Sequence, residues 1–212
     1  MKNTFVIKTQ QTPLKKLENA IRSLRAHRSL MVSGREDIPM TLRSHPCVFF
    51  LEEGRASLRL KSSGRIIADF SAPAILGIEL LSGISPDTTV AVQGSARFLQ
   101  VQADELAAEV SRMGMWLEVA RMTAENAHHV RDALAVSAFG TSYQIVRHHL
   151  IALNNSTDGS MKTESFNRYI SERSKVSRST LHKIIKSLKI GQYIDTNRGT
   201  LIELRRNLPE NY

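Results

Sequence analysis

The stretch Ser177-Arg178-Ser179-Thr180-Leu181-His182-Lys183-Ile184-Ile185-Lys186-Ser187-Leu188 sorts its side chains by chemistry. Leu181, Ile184, Ile185 and Leu188 recur at three- and four-residue steps, the apolar stripe of a helix. Arg178, His182, Lys183 and Lys186 are left on or beside the opposite face, with the hydroxyls of Ser179 and Thr180. Ser177 suits the N-cap, where its hydroxyl accepts from a free amide of the first turn. Such a face donates hydrogen bonds and carries positive charge. Arginine or lysine can address O6 and N7 of guanine, and a hydroxyl can address a base edge or a phosphate. Catalysis has no comparable candidates. No Gly-rich phosphate loop, nucleophile elbow or carboxylate pair stands out, so neither an enzyme nor a cofactor is expected.

The neighbouring elements place this helix. Phe166, Tyr169 and Ile170 predict a short helix before it, and Ser174-Lys175-Val176 a turn between the two. After Gly191 come a strand near Tyr193-Ile194-Asp195, the turn Thr196-Asn197-Arg198-Gly199, and a returning strand Thr200–Leu204. Helix, turn, capped basic helix and hairpin in this order make a winged helix-turn-helix, whose second helix fits a DNA major groove. The expected DNA contacts are Ser177, Arg178, Ser179, Thr180, His182, Lys183, Lys186 and, at the wing tip, Arg198. Arg178 and Lys183 are the expected base readers, and the others phosphate or mixed contacts. The competing reading is a solvated surface helix beside an unrelated hairpin.

Charge follows the same division. The formal net charge is +9, and from Thr141 onward 12 Lys/Arg stand against 6 Asp/Glu, which suits a polyanion partner. Residues 103–140 hold 3 arginines against 6 acids. Cys47 is the only cysteine, so no internal disulfide can form and the cytoplasm is the expected compartment. No run near 18 apolar residues is present, and neither a signal peptide nor a membrane partner is expected.

Upstream, Leu14, Leu17, Ile21 and Leu24 predict an amphipathic helix from Pro13 to about Arg28. Val48–Leu51, Ala56–Leu60, Ile66–Phe70, Thr88–Val92 and Ala96–Val101 read as short strands between turns, which points to a small antiparallel barrel, roll or sandwich. From Ala103 the turn residues nearly vanish. Leu106, Val110, Met113, Leu117, Ala120, Ala124, Ala127, Arg131 and Leu134 alternate four- and three-residue steps, a heptad seam on one helix about 45 Å long. Gly114 is expected to weaken that helix slightly. The seam pairs two copies of the chain or packs on the β-domain; a homodimer is the expectation. The fold class is α+β, divided into a β-domain with its N-terminal helix (1–102), a dimerisation helix (103–139) and a winged helix-turn-helix (140–212).

Residues Val176–Leu188, with the β-domain, long helix and wing around them, resemble the CRP/FNR family of bacterial transcription regulators. Within it, the chain is similar to an enterobacterial subgroup concerned with hydrogen peroxide resistance. The resemblance covers most of the chain. It implies a cyclic-nucleotide-binding-like β-roll, and double-stranded DNA, a second copy and RNA polymerase as partners. It also makes Arg178 the arginine that addresses a guanine, with Ser179 where a base-reading glutamate is frequent and Lys183 where a second arginine is frequent. Lys175 stands where glycine is common and Arg173 where an apolar residue is common. The resemblance further implies that cyclic nucleotide is held by the glutamate of a Gly-Glu-Leu run and, further on, an Arg-Ser pair. Here the run is Gly77-Ile78-Glu79-Leu80, and Thr88 takes the arginine's place. Tight cyclic AMP binding is therefore not expected.

Three smaller candidates remain. Cys47 follows His45-Pro46 and reads either as a redox sensor with a thiol pKa lowered by histidine or as a small buried hydrophobe. His128-His129 and His148-His149 read as surface histidines, because adjacent helical residues diverge too far to chelate, and no metal is expected. The alternative function is a protein-interaction module whose degenerate roll and winged helix dock a protein.

Overall fold

The computed structural model describes residues 6–7, 11–154, 165–197 and 199–210, with the backbone alone for residues 6, 7, 11, 129 and 132–139. Two compact units form, Val6–Val130 and Arg131–Tyr212. The division falls inside a helix rather than at the end of one.

The first unit runs β1 (Val6–Ile7), α1 (Gln11–Ser23), β2 (Arg28–Pro39), β3 (Thr41–Leu42), β4 (His45–Leu60), β5 (Ile66–Ser71), β6 (Ala74–Leu76), a 3-10 turn (Ile78–Ser82), β7 (Thr88–Gln102), α2 (Ala103–Arg112) and the part of α3 (Trp116–Phe139) up to Val130. Its strands make one sheet in the order β1-β5-β4-β7-β2, with β3 and β6 also on β4. All pairings are antiparallel except β1 on β5.

Strands expected to stop at Gly54 and Gly94 continue through them. β4 passes Gly54 at φ 84°, with register shifts at Leu51/Glu53 and Gly54/Ala56. A Cβ at Gly54 would lie 2.1 Å from the Ser95 carbonyl oxygen, so only glycine fits that approach. Gly94 at φ 98° sits opposite Gly34 at φ 94° and bends β7 and β2 together. A bulge turns a strand without ending its pairing, so the sheet curls into a roll. Phe49, Leu51, Leu76, Ile78 and Phe98 fill the roll, and the Phe49 and Phe98 rings meet edge to face at 5.9 Å.

α1 closes one end with Leu14, Leu17, Ala20 and Ile21 buried. It stops at Ser23 rather than Arg28; the Ser23 hydroxyl donates to the Ala20 carbonyl at 2.8 Å, a local bond that competes with the helix. Arg22 links Glu18 (2.9 Å) to Glu52 (2.5 Å), and Lys16 reaches Glu118 at 2.5 Å, tying α1 to β4 and α3.

The single long helix expected over 103–139 is two helices. Gly114 adopts φ 64°; Met115 N donates to Val110 O (2.9 Å) and Gly114 N to Ser111 O (3.2 Å), the paired bonds of a Schellman stop. The glycine ends α2 instead of merely weakening a continuous helix. The seam is corrected with it. Leu106 and Val110 are fully buried in the roll core and face no partner. Met115, just before α3, and Val119 and Met122 on it pack inward, while Met113 at the end of α2 (45% exposed) and Trp116 (41%) and Leu117 (58%) on α3 face out. Ala120, Ala124, Ala127 and Arg131 continue the exposed line. The side chain of Leu134 lies outside the described residues.

The second unit contains α4 (Ser142–Asn154), α5 (Phe166–Arg173), α6 (Arg178–Ile190), β8 (Ile194–Asn197) and β9 (Thr200–Leu204). Thr141 and Gln144 open α4 with a reciprocal capping box: Gln144 N donates to Thr141 Oγ1 (3.2 Å) and Thr141 N to Gln144 Oε1 (2.8 Å). Val146, Leu150, Phe166, Tyr169, Ile170, Leu181, Leu188 and Leu201 are among the residues of one core. The hairpin is fastened to α5, since Ser165 bridges to Thr200 and Phe166 N donates to Gly199 O at 3.0 Å. The tail closes over α4, with Leu208 buried and Tyr143 donating to Pro209 O at 2.8 Å.

Candidate nucleic-acid interface

The turn between α5 and α6 is built by side chains. Buried Ser174 donates to Ile170 O at 2.8 Å and closes α5, and its Oγ accepts from Val176 N at 3.4 Å. Lys175 is exposed and its φ is not positive, so the turn does not require the glycine common in the family. Arg173 lies over the Tyr169 ring, 3.8 Å from its centroid, and donates to Tyr169 O at 3.1 Å, so it packs as an apolar residue would.

Ser177 caps α6, its Oγ accepting from Thr180 N at 3.1 Å. A cap of this kind stabilises a helix by about 1 kcal/mol. The same hydroxyl lies 2.9 Å from Ser179 Oγ and 2.8 Å from Thr180 Oγ1, so three hydroxyls cluster at the helix start. Leu181, Ile184, Ile185 and Leu188 are buried as their spacing required. Arg178, Ser179, His182, Lys183 and Lys186 are exposed and Thr180 is half-buried. Lys189 extends the exposed cationic row by a further turn. From Lys175 to Lys189 the chain has no acidic residue. Arg198 lies outside the described residues, so the wing's charge at its tip stays an expectation. Beside the wing Arg205 pairs with Asp195 at 2.8 Å.

Sequence reasoning missed the contribution of α5. Asn167 and Ser171 lie one turn apart, off the buried Phe166–Tyr169–Ile170 face. With Ser165 and Arg168 they form one side of a groove of about 300 Å³ whose other side is Arg178, Leu181 and His182. The signal was an i, i+4 polar pair on a short helix, a pattern too common to single out.

The remaining candidates resolve as follows. Cys47 is fully buried, burial pushes its thiol pKa up, and its Sγ lies 3.5 Å from His45 O. That is the place of a small hydrophobe, because the reactive form is the exposed thiolate. Among the described residues no three His, Cys, Asp or Glu side chains are grouped to hold a metal. His128 is exposed, and the His129 side chain lies outside the described residues. His148 and His149 are not the surface residues the sequence suggested. His149 is buried, edge-on to the Tyr169 ring at 5.7 Å, and burial, with Arg147 adding, lowers the His148 pKa from 6.5 to about 4.

This has a pH consequence. Unfolding returns His148 to a pKa near 6.5, so the unfolded chain takes up the proton first. The stability present above pH 6.5 is lost as pH falls towards 4. Thermal melts of the full chain should show a falling Tm across that window, and His148→Gln should flatten the fall. An unchanged slope in the variant would refute the assignment.

In the roll, Ile78 is fully buried and Glu79 half-buried, its carboxyl raised in pKa by burial. Thr88 is buried and donates to Met40 Sδ at 3.2 Å, and a Cβ at Gly77 would meet Met40 Cε at 2.4 Å.

A curled antiparallel roll, helices and a winged helix-turn-helix make up the CRP/FNR fold, and comparison with solved structures gives the same fold. Residues 142–210 match the family described as winged helix-turn-helix DNA binding. The solved structure of FixK2 from Bradyrhizobium japonicum superposes with a TM-score of 0.68 at 17% identity, covering 86% of this chain and 94% of that one. The c-di-GMP responsive global regulator CLP of Xanthomonas campestris gives a TM-score of 0.72 at 10% identity, covering 91% and 100%. In sequence, the chain is similar to the inhibitor of hydrogen peroxide resistance of Escherichia coli K12, 24% identical over 167 residues, which span 77% of this chain and 79% of that one. No helix among the described residues is long and apolar enough to cross a membrane.

Proposed function

We propose that the chain is a homodimeric, sequence-specific DNA-binding transcription regulator, not an enzyme, and that its roll does not bind cyclic nucleotide. The observation that carries this reading is the outward face of α6: cations and hydroxyls without an acid, on a capped helix within a winged helix-turn-helix. Ser177, Arg178, Ser179, Thr180, His182, Lys183, Lys186 and Arg198 are its DNA contacts. Two such helices enter successive major grooves of a pseudo-palindrome about one helical turn apart. The exposed line from Leu117 to Ala127 supports pairing through α3. Buried Ile78, and buried Thr88 with its hydroxyl on Met40, support the loss of nucleotide binding, since neither offers a charge to ribose or phosphate. Similarity to the peroxide-resistance inhibitor supports a role in the oxidative-stress response. The protein then works in the cytoplasm, at promoters used by RNA polymerase.

The test is selection of duplexes from a randomised pool by the full-length protein, followed by titrations at several salt concentrations. Affinity for the selected duplex should fall steeply with salt, because each neutralised phosphate releases counterions. No enriched sequence and a flat salt response would favour docking to a protein instead.

A further inference from the structure

The groove between α5 and α6 contains an acceptor that none of the described residues satisfies. Asn167 lines it, and Asn167 Oδ1 is buried with no hydrogen-bond partner among the described residues. A native protein seldom leaves a buried carbonyl oxygen without a donor, and where it does, the site is often completed by a ligand or by a group that moves. Arg168 is committed along its own helix, its Nε donating to Glu172 Oε1 at 2.9 Å. Leu181 offers no side-chain donor. Arg178, on the opposite side of the same groove, is exposed and has no ion pair or hydrogen bond among the described residues. Its guanidinium carries five N–H donors in a fixed fork.

We infer that Asn167 is a positioning residue for Arg178. When α6 lies in the major groove, Asn167 Oδ1 accepts one guanidinium N–H while two others address guanine O6 and N7. Five donors suffice for both tasks. Without that anchor the long side chain samples many rotamers and reads its base less well. The inference rests on the DNA-binding reading above and adds to it a specificity determinant on the helix that precedes α6.

The experiment uses the full-length protein and a duplex selected by the wild type, with each contacted guanine replaced in turn by 7-deazaguanine, which lacks the N7 acceptor. Asn167→Ala should lose about tenfold in affinity on the guanine duplex, the coupling expected of two contacting residues. It should lose little on the 7-deazaguanine duplex and little in an Arg178→Ala background. Asn167→Asp keeps an acceptor oxygen, so it should keep the guanine/7-deazaguanine ratio even though its charge lowers affinity overall. Equal loss on both duplexes, or an undiminished loss in the Arg178→Ala background, overturns the inference and leaves the DNA-binding reading standing. A wild type that binds selected and scrambled duplexes alike overturns both.

Discussion

Leu117→Glu is expected to make the protein a monomer and to weaken its binding to a selected palindromic duplex by about 10²–10⁴-fold. Leu117 is 58% exposed at the head of an exposed line of α3 that continues through Ala120, Ala124 and Ala127, with Trp116 next to it. A second copy of α3 laid along this line would cover it, and the alanines at 120, 124 and 127 would allow the two backbones a close approach. Glutamate would set two like charges against each other in that contact, while α3's inner face, which includes Val119 and Met122, would be untouched. The loss on DNA follows from linkage. Once one winged helix is bound, its tethered partner meets the second half-site at high effective concentration. Sedimentation equilibrium measures the first effect and titration of the duplex the second. Trp116 is the only tryptophan, it is 41% exposed, and it sits beside the line, so its emission should move to longer wavelength in the variant. A variant that stays dimeric would remove α3 as the pairing surface.

Arg178→Ala is expected to cost about 1–3 kcal/mol on the selected duplex, roughly 5- to 150-fold in Kd, and much less on scrambled DNA. Arg178 stands at the first helical position after the Ser177 cap, exposed and without a carboxylate nearby on α6. A bidentate contact to guanine would be lost in the variant, while the phosphate contact proposed for Lys186 would remain. The salt dependence should therefore be nearly unchanged. Lys186→Ala is the contrast: a uniform loss on all sequences and a salt slope smaller by about 1. Equal losses on selected and scrambled duplexes for Arg178→Ala would reduce it to a phosphate contact.

The recognition helix and its wing were legible because local signals agreed there. A capping serine, a four-residue apolar stripe and a turn before two short strands all specify one arrangement, and α6 buries the four residues its spacing required. The roll was legible as a set of strands but not as their joining. Gly54 and Gly94 are turn residues by composition, and only the pairing partner across the sheet decides whether the chain stops there or bends. The break at Gly114 escaped for a related reason. A heptad pattern records which residues are apolar, not which surface they meet, so Leu106 in the roll and Leu117 in solvent continued one apparent seam. The histidine pair was misplaced because α4 is buried on more sides than a two-faced helix, with Tyr143, Ile145, Val146, His149, Leu150, Ala152 and Leu153 all inside. The groove along α5 needed the second helix in place before its polar residues had anything to line.

The acid-free face of α6 also bears on coexistence. Cytosine offers an amino group to the major groove and is best met by a carboxylate, which neither Ser179 nor any neighbour from Lys175 to Lys189 provides. Regulators of the same architecture that do carry a glutamate at that place would recognise different promoters. If α6 reads DNA as proposed, one cell could hold several proteins of this fold without their gene sets merging.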